Sequence, residues 1–403
     1  MRPHRAFRHP VIAQLHALLL VSVATACVVS DKDRSGKENQ PAPPAQTAIG
    51  TLDTADITAP VYAADTFDTA GFAARQADSL QSDPTFKRIG TQTVNADITQ
   101  FPRAVPKGGP AALKLQILLD RAGFSPGIID GMWGKNAVRA LAYFRSSSIS
   151  ESDSSADGPS LDSTSALDKP AYEQLLAAAG GSPALINYSV TDDDVKGPFV
   201  TIPESVYDKA KLKCMCFTSV AEELAEKFHT SARLLNQLNP GVDLSKLASG
   251  TSLVVPNVAY SAALPTDRVV KLVISKTGFW THALDSAGRV LYHFPSTLGA
   301  GYDPSPTGDF HVTGVSQNPP FHYQPKLFAE VPDSKPEARL PAGPNSPVGV
   351  VWMGLSKPHY GIHGTESPET IGYANSHGCV RLTNWDAERL SKLVWSGMPV
   401  IFQ

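Results

Sequence analysis

The stretch Tyr360-Gly361-Ile362-His363-Gly364-Thr365, followed by Ser376-His377-Gly378-Cys379-Val380-Arg381-Leu382, decides the reading of this chain. Two histidines, one cysteine and three glycines fall within these two pieces. A cysteine needs a base to act as a nucleophile, because little of a thiol is thiolate at neutral pH. An imidazole titrating near neutrality can take that proton and later give it to a leaving amine. Glycines let backbone N–H groups come close to a developing oxyanion. Spacing alone leaves open which histidine serves Cys379. It also leaves open a zinc site of His363, His377 and Cys379 with His359, and a merely structural Cys–His cluster. A Ser-His-Gly-Cys turn would hold adjacent metal ligands awkwardly.

Outward from this centre, residues 268–403 read as mainly β. VVKLVISKT, FWTHALD and RVLYHFPST alternate apolar and polar positions at period two, with a turn at Ser286-Ala287-Gly288. Pro306-Thr307-Gly308 and Phe310-His311-Val312 add another turn and strand. Residues 316–347 form a Pro-rich loop long enough to cover a site. One late helix, Asp386–Val394, completes an otherwise all-β domain.

The H-G-T piece followed by S-H-G-C-V-R-L-T-N resembles the catalytic signature of the YkuD family of L,D-transpeptidases. The resemblance extends over 268–403. Pro304-Ser305-Pro306-Thr307-Gly308-Asp309-Phe310 is similar to the family's P-T-P-x-G-x-F, with Ser in place of the first Thr. Pro347–Leu355 and Gly397–Phe402 also resemble family strands.

The resemblance implies a YkuD-like β-sandwich. Its activity would be a peptidoglycan L,D-transpeptidase that forms 3→3 cross-links through a cysteinyl thioester and releases D-alanine. Cys379 would be the nucleophile and His363 the general base, oriented by the Gly364 carbonyl. His377 and Gly378, with Cys379, would supply oxyanion-hole N–H groups. Ser376 and Tyr360 would support or line the pocket. Arg381 would meet a substrate carboxylate or, alternatively, form a structural ion pair, and His359 would be exposed and uninvolved. No cofactor and no metal is implied. The same thioester could pass to a lipoprotein lysine or to water, making a ligase, a carboxypeptidase or a linkage hydrolase. A catalytically inactive wall-binding scaffold is the alternative from another class.

Two smaller modules precede this domain. Residues 108–182 carry an apolar helix stopped at Gly123, a turn with Asp130-Gly131 and Gly134, a second helix with Val138, Leu141 and Phe144, and a third at Ala171–Ala179. This resembles a three-helix peptidoglycan-binding domain, with a Ser/Asp-rich insertion at 146–164. Residues 188–258 resemble a divergent LysM-type α+β unit, with amphipathic helices around Val220–Phe228 and Leu234–Leu238 and a strand at Leu253–Pro256. Cys214 and Cys216, one residue apart, read as buried, unpaired thiols, because that spacing seldom suits a disulfide.

At the amino terminus, Arg2, Arg5 and Arg8 precede an apolar run, Val11–Ala26, too short for a membrane span of ~20 residues and sized like a secretory signal. Ala24-Thr25-Ala26-Cys27 resembles a lipobox, implying lipid on Cys27 and a signal peptide over 1–27. Residues 28–107 lack any sustained period and read as a mostly disordered linker. The implied location is the periplasm or cell envelope, facing peptidoglycan and anchored to the membrane through lipid. The implied partners are stem peptides and glycan. With 35 Lys+Arg against 38 Asp+Glu, the net charge of −3 excludes a polybasic nucleic-acid surface. The 403 residues suit several domains rather than one core.

Overall fold

A computed structural model describes residues 89–101, 103–147, 166–181, 183–259, 268–301, 303–328 and 331–403. The signal segment, Cys27 and most of the predicted linker lie outside the described residues. Every described residue falls in one unit of the chain, Thr51–Gln403. Among the described residues no helix is long and apolar enough to cross a membrane.

The first elements are α1 (Thr91–Asn95), β1 (Arg103–Ala104), α2 (Pro110–Arg121), α3 (Lys135–Ser147), β2 (Ala166–Leu167) and α4 (Lys169–Ala178). Proline opens α2, where the missing N–H costs nothing. Asp168 caps α4 by accepting from the Ala171 N–H at 2.8 Å. Leu115, Leu118 and Leu119 of α2 pack with Leu141 and Phe144 of α3 and Leu175 of α4, so the three predicted helices share one core.

The linker expectation fails at its carboxyl end. Ile98 is buried in that same core, and Ile89 and Val94 are buried against Leu113 and Ile117. Asn95 exchanges hydrogen bonds with the backbone of Leu185, at 3.0 and 2.8 Å. A five-residue helix and a two-residue strand are too short to leave a readable period, so 89–107 looked featureless.

The next elements are β3 (Leu185–Ser189), α5 (Val206–Lys209), α6 (Val220–Lys227), α7 (Ala232–Leu238) and β4 (Ser252–Pro256). β3 and β4 pair antiparallel from Leu185↔Pro256 to Ser189↔Ser252. Ser219 and Ser231 cap α6 and α7. Cys214 and Cys216 are not unpaired thiols: they form a disulfide, with Cα atoms 5.2 Å apart, and both are only partly buried. The intervening Met215 is fully buried. Its N–H donates to Ala342 O, and its carbonyl accepts from Asn345 N, both at 2.9 Å. This docking bends the Cys-Met-Cys turn enough to bring its ends within disulfide range.

The carboxyl-terminal elements are β5 (Lys271–Ser275), β6 (Trp280–Leu284), β7 (Val290–Pro295), β8 (Leu298–Gly299), β9 (Gly308–Gln317), β10 (Phe321–Tyr323), β11 (Ala338–Leu340), β12 (Val351–Leu355), β13 (Gly361–His363), β14 (Asn375–Ser376), β15 (Val380–Arg381), α8 (Asn384–Ser391) and β16 (Pro399–Phe402). Eight strands form one mixed sheet in the order β15-β13-β12-β9-β16-β5-β6-β7. The mainly-β character is as expected, but the layers are not two separate sheets. The ten-residue β9 pairs with β16 over Gly308–His311 and with β12 from Val312 to Gln317, so one curled sheet wraps the core. Inside lie Leu272, Ile274, Phe294, Val312, Met353, Ile362, Leu390 and Phe402.

The sheet edge at β7 is covered, as an exposed edge would otherwise invite pairing with another chain. His293 N donates to Gly123 O at 3.0 Å, and Ser125 N donates to His293 O at 2.9 Å. Tyr143 of α3 stacks on His293 with ring centroids 5.1 Å apart. A polar junction ties all three parts. His229 Nδ1 lies 3.0 Å from Asp120 Oδ2, and the Arg389 guanidinium donates twice to the Asp120 carbonyl at 3.0 Å.

Candidate active site

β13 and β15 run parallel, with Ile362 opposite Val380 and His363 opposite Arg381. Cys379 stands immediately before β15 and shares an apolar cluster with Trp352. On the other side of β13, Trp352 is the antiparallel partner of His363, and its indole stacks on the imidazole at 5.3 Å and 18°. Cys379 is 1% exposed and His363 is fully buried.

His363 Nδ1–H donates to the Gly364 carbonyl at 2.7 Å. That bond places the proton on Nδ1 and leaves Nε2 with a lone pair. Burial, with the Arg381 charge adding to it, pushes the imidazole down to about 3, while the Gly364 bond opposes the shift. The resting ring is therefore neutral at pH 7, with its one proton on Nδ1. The thiol of Cys379 points its Sγ–H at the His359 carbonyl, 3.6 Å away. His359 itself sits at a turn with φ 66° and its side chain is exposed, as expected.

The loop before Cys379 is braced by hydroxyls. Ser376 Oγ donates to the Cys379 carbonyl at 2.6 Å. Ser305 Oγ donates to the Gly378 carbonyl at 2.8 Å and accepts from Gly299 N at 2.8 Å. Gly378 has φ 96°, and a Cβ there would lie 2.8 Å from Tyr360 Cε1. Only glycine meets both conditions. Tyr360 thus lies against the nucleophile loop, with the Lys357 ammonium 4.2 Å from its ring centroid. Burial first, then Asp303 and Cys379, raise the Tyr360 phenol above its ordinary value.

His377 is 7% exposed, edge-on to Phe328 at 5.5 Å. Arg381 is 5% exposed, and its backbone exchanges hydrogen bonds with Thr297 at 2.9 and 3.0 Å. The Pro-rich segment covers this face. Phe321, Tyr323, Phe328 and Leu340 form one apolar cluster with Trp352 and Cys379. Tyr207 of α5 ties down the cover by donating to the Pro336 carbonyl at 3.1 Å.

The structure thus brings together His363, Gly364, Ser376, His377, Gly378, Cys379, Tyr360 and Arg381; Cys27 lies outside the described residues. Among the described residues no three His, Cys, Asp or Glu side chains converge as a metal-binding set. Sequence reasoning missed three contributors. Trp352 stands in a strand that reads as core, and Phe328 in a loop without period. Ser305 was noticed only as a departure from the family pattern, yet its hydroxyl braces the loop.

The mainly-β domain thus buries a thiol beside the tryptophan that stacks on a neutral imidazole. Residues 271–402 match the L,D-transpeptidase catalytic domain model of the YkuD type. The YkuD protein of Bacillus subtilis is 30% identical over 177 residues, 44% of this chain and 89% of that protein. Its counterpart in Bacillus licheniformis is 29% identical over 179 residues, covering 44% of this chain and 90% of that protein. A solved L,D-transpeptidase fragment from Xylanimonas cellulosilytica is 16% identical, covers 76% of this chain and 100% of its own, and superposes with a TM-score of 0.32. The chain belongs to the YkuD family of L,D-transpeptidases, which are acyltransferases acting on the cell wall.

Proposed function

We propose that this chain forms 3→3 peptidoglycan cross-links through a thioester on Cys379. The observation that carries the reading is the 2.7 Å bond from His363 Nδ1 to the Gly364 carbonyl, which leaves Nε2 as a base on the ring stacked against Trp352, the residue that shares a cluster with Cys379. The imidazole takes the thiol proton, and Sγ attacks the carbonyl carbon at the L-centre of the third residue of a tetrapeptide stem. The N–H groups of the His377–Cys379 loop receive the oxyanion. As the C–N bond breaks, His363 returns the proton to the departing D-alanine amine.

An amine of a second stem then attacks the thioester and hands its proton to His363, and the thiol is regenerated. One amide is lost and one is gained, so no energy-rich co-substrate is needed. The buried Arg381 either meets a stem carboxylate or holds the loop by charge. The two preceding modules hold the enzyme to the wall, and lipid on Cys27 tethers it to the membrane from the periplasmic side.

Incubation with tetrapeptide muropeptides, read by mass, tests the proposal. Cross-linked dimers support transfer, tripeptides alone mean hydrolysis, and unchanged substrate removes the enzymatic reading. The mass of the mature amino terminus tests the lipid.

A further inference from the structure

Glu226 belongs to α6, outside the residues 271–402 that match the catalytic-domain model. Nonetheless Asn384 Nδ2, at the start of α8, lies 3.1 Å from both of its carboxyl oxygens, across 158 residues of sequence. The same Nδ2 also donates to the Pro344 carbonyl at 3.1 Å. Two acceptors on the nitrogen end leave one orientation for the amide, with Oδ1 turned the other way.

That Oδ1 accepts from Thr365 N at 3.1 Å and from Val350 N at 3.3 Å. The fit is close: a Cβ on Gly349 or Gly364 would come within 1.9 or 2.1 Å of Oδ1. Thr365 N–H and the Gly364 carbonyl belong to a single peptide plane, which is rigid. Asn384 grips this plane by its N–H, and His363 Nδ1 grips it by its carbonyl at 2.7 Å. Any rotation of the Asn384 amide is therefore passed through the plane to the imidazole.

We propose that Glu226 is a positioning residue for His363: it holds the amide of Asn384, and so the Gly364–Thr365 plane, placing the transpeptidase centre under the control of the preceding module. The inference rests on His363 being the base. Burial, with Glu388 and Glu222 nearby, pushes the Glu226 carboxyl up to about 8 against the pull of the Asn384 bond. At neutral pH the group is largely an uncharged acceptor, which a glutamine can imitate.

The test uses the full chain and imipenem as acylating probe, with the covalent adduct followed by mass and by stopped flow. Wild type and Cys379→Ala come first: no adduct on wild type, or an adduct on the alanine variant, overturns the proposed function rather than this inference. Given a wild-type adduct, Glu226→Ala should lower the saturating acylation rate roughly ten- to a hundredfold with little change in half-saturation. It should also shift the acid limb of the pH–rate profile. Glu226→Gln, which keeps the shape of the side chain and should fold, should recover most of the rate. A Glu226→Ala protein that acylates at the wild-type rate with an unmoved profile overturns the inference. So does a folded Glu226→Gln that is as slow as the alanine variant.

Discussion

The Ser125 hydroxyl donates a 2.7 Å hydrogen bond to Asp386 Oδ2, joining residues 261 positions apart across the boundary between the helical module and α8. Burial, with Asp120 adding to it, pushes the Asp386 carboxyl up to about 6, and Ser125 is among the groups that oppose the rise. A folded pKa above the unfolded value means stability that is present at low pH and lost as pH rises through about 6. Ser125→Ala should cost about 1–3 kcal/mol, since it leaves a buried acceptor without its donor. Urea unfolding should show a larger loss at pH 8 than at pH 5, because the bond matters most to the ionised form.

The His282–His293 pair has the opposite sign. The rings meet at 2.9 Å inside the covered sheet edge, and burial pushes His293 down to about 3 and His282 well below its ordinary value. Their stabilisation is present above the unfolded histidine pKa and is lost as pH falls below it. From pH 7 to pH 5 the loss from His293 should reach about 2 kcal/mol, with His282 acting in the same direction. Chemical unfolding across this range should show the slope, and His293→Leu should flatten it.

Replacing Cys379 with alanine should abolish the adduct with imipenem while leaving the melting temperature near that of wild type. His363→Gln should form the same adduct roughly 10²–10⁴-fold more slowly, the usual weight of a positioned general base. Mass spectrometry of the acylated tryptic peptide checks both.

Gly378→Ala combines a φ of 96° with a Cβ only 2.8 Å from the Tyr360 ring. The backbone strain alone should cost about 1–3 kcal/mol. Tyr360→Ala in the same chain should relieve the contact but not the strain, so the double variant should regain only part of the lost acylation rate.

Phe328→Ala should uncover the thiol. Cys379 is 1% exposed beneath the apolar cluster that Phe328 completes. Iodoacetamide should label Cys379 faster in this variant than in wild type, while labelling of unfolded samples should be equal.

Much of the domain was legible because its strands are long enough to carry a period. β5, β6 and β7 lie where alternation placed them, β12 and β16 where the family resemblance placed strands, and the late helix predicted over 386–394 runs over Asn384–Ser391 as α8. Around Cys379 the sequence set Cys, His and Gly close together, and the resemblance to the family, rather than their spacing, suggested a role for each. The two-residue strands β8, β14 and β15 were not legible, as two residues have no period. Nor were Ser125–Asp386 or Glu226–Asn384. A single polar residue whose partner lies far along the chain looks like any other surface residue until the fold joins them. The disulfide was hidden for a local reason: the turn that permits it is bent by Met215 docking on distant backbone.

That disulfide also bears on the chemical safety of the thiol at the centre. Among the described residues Cys379 is the single cysteine outside a disulfide, because Cys214 and Cys216 consume each other. In the folded protein the docked Met215 holds that pair closed, so neither of its thiols is left to capture the nucleophile in a wrong crosslink.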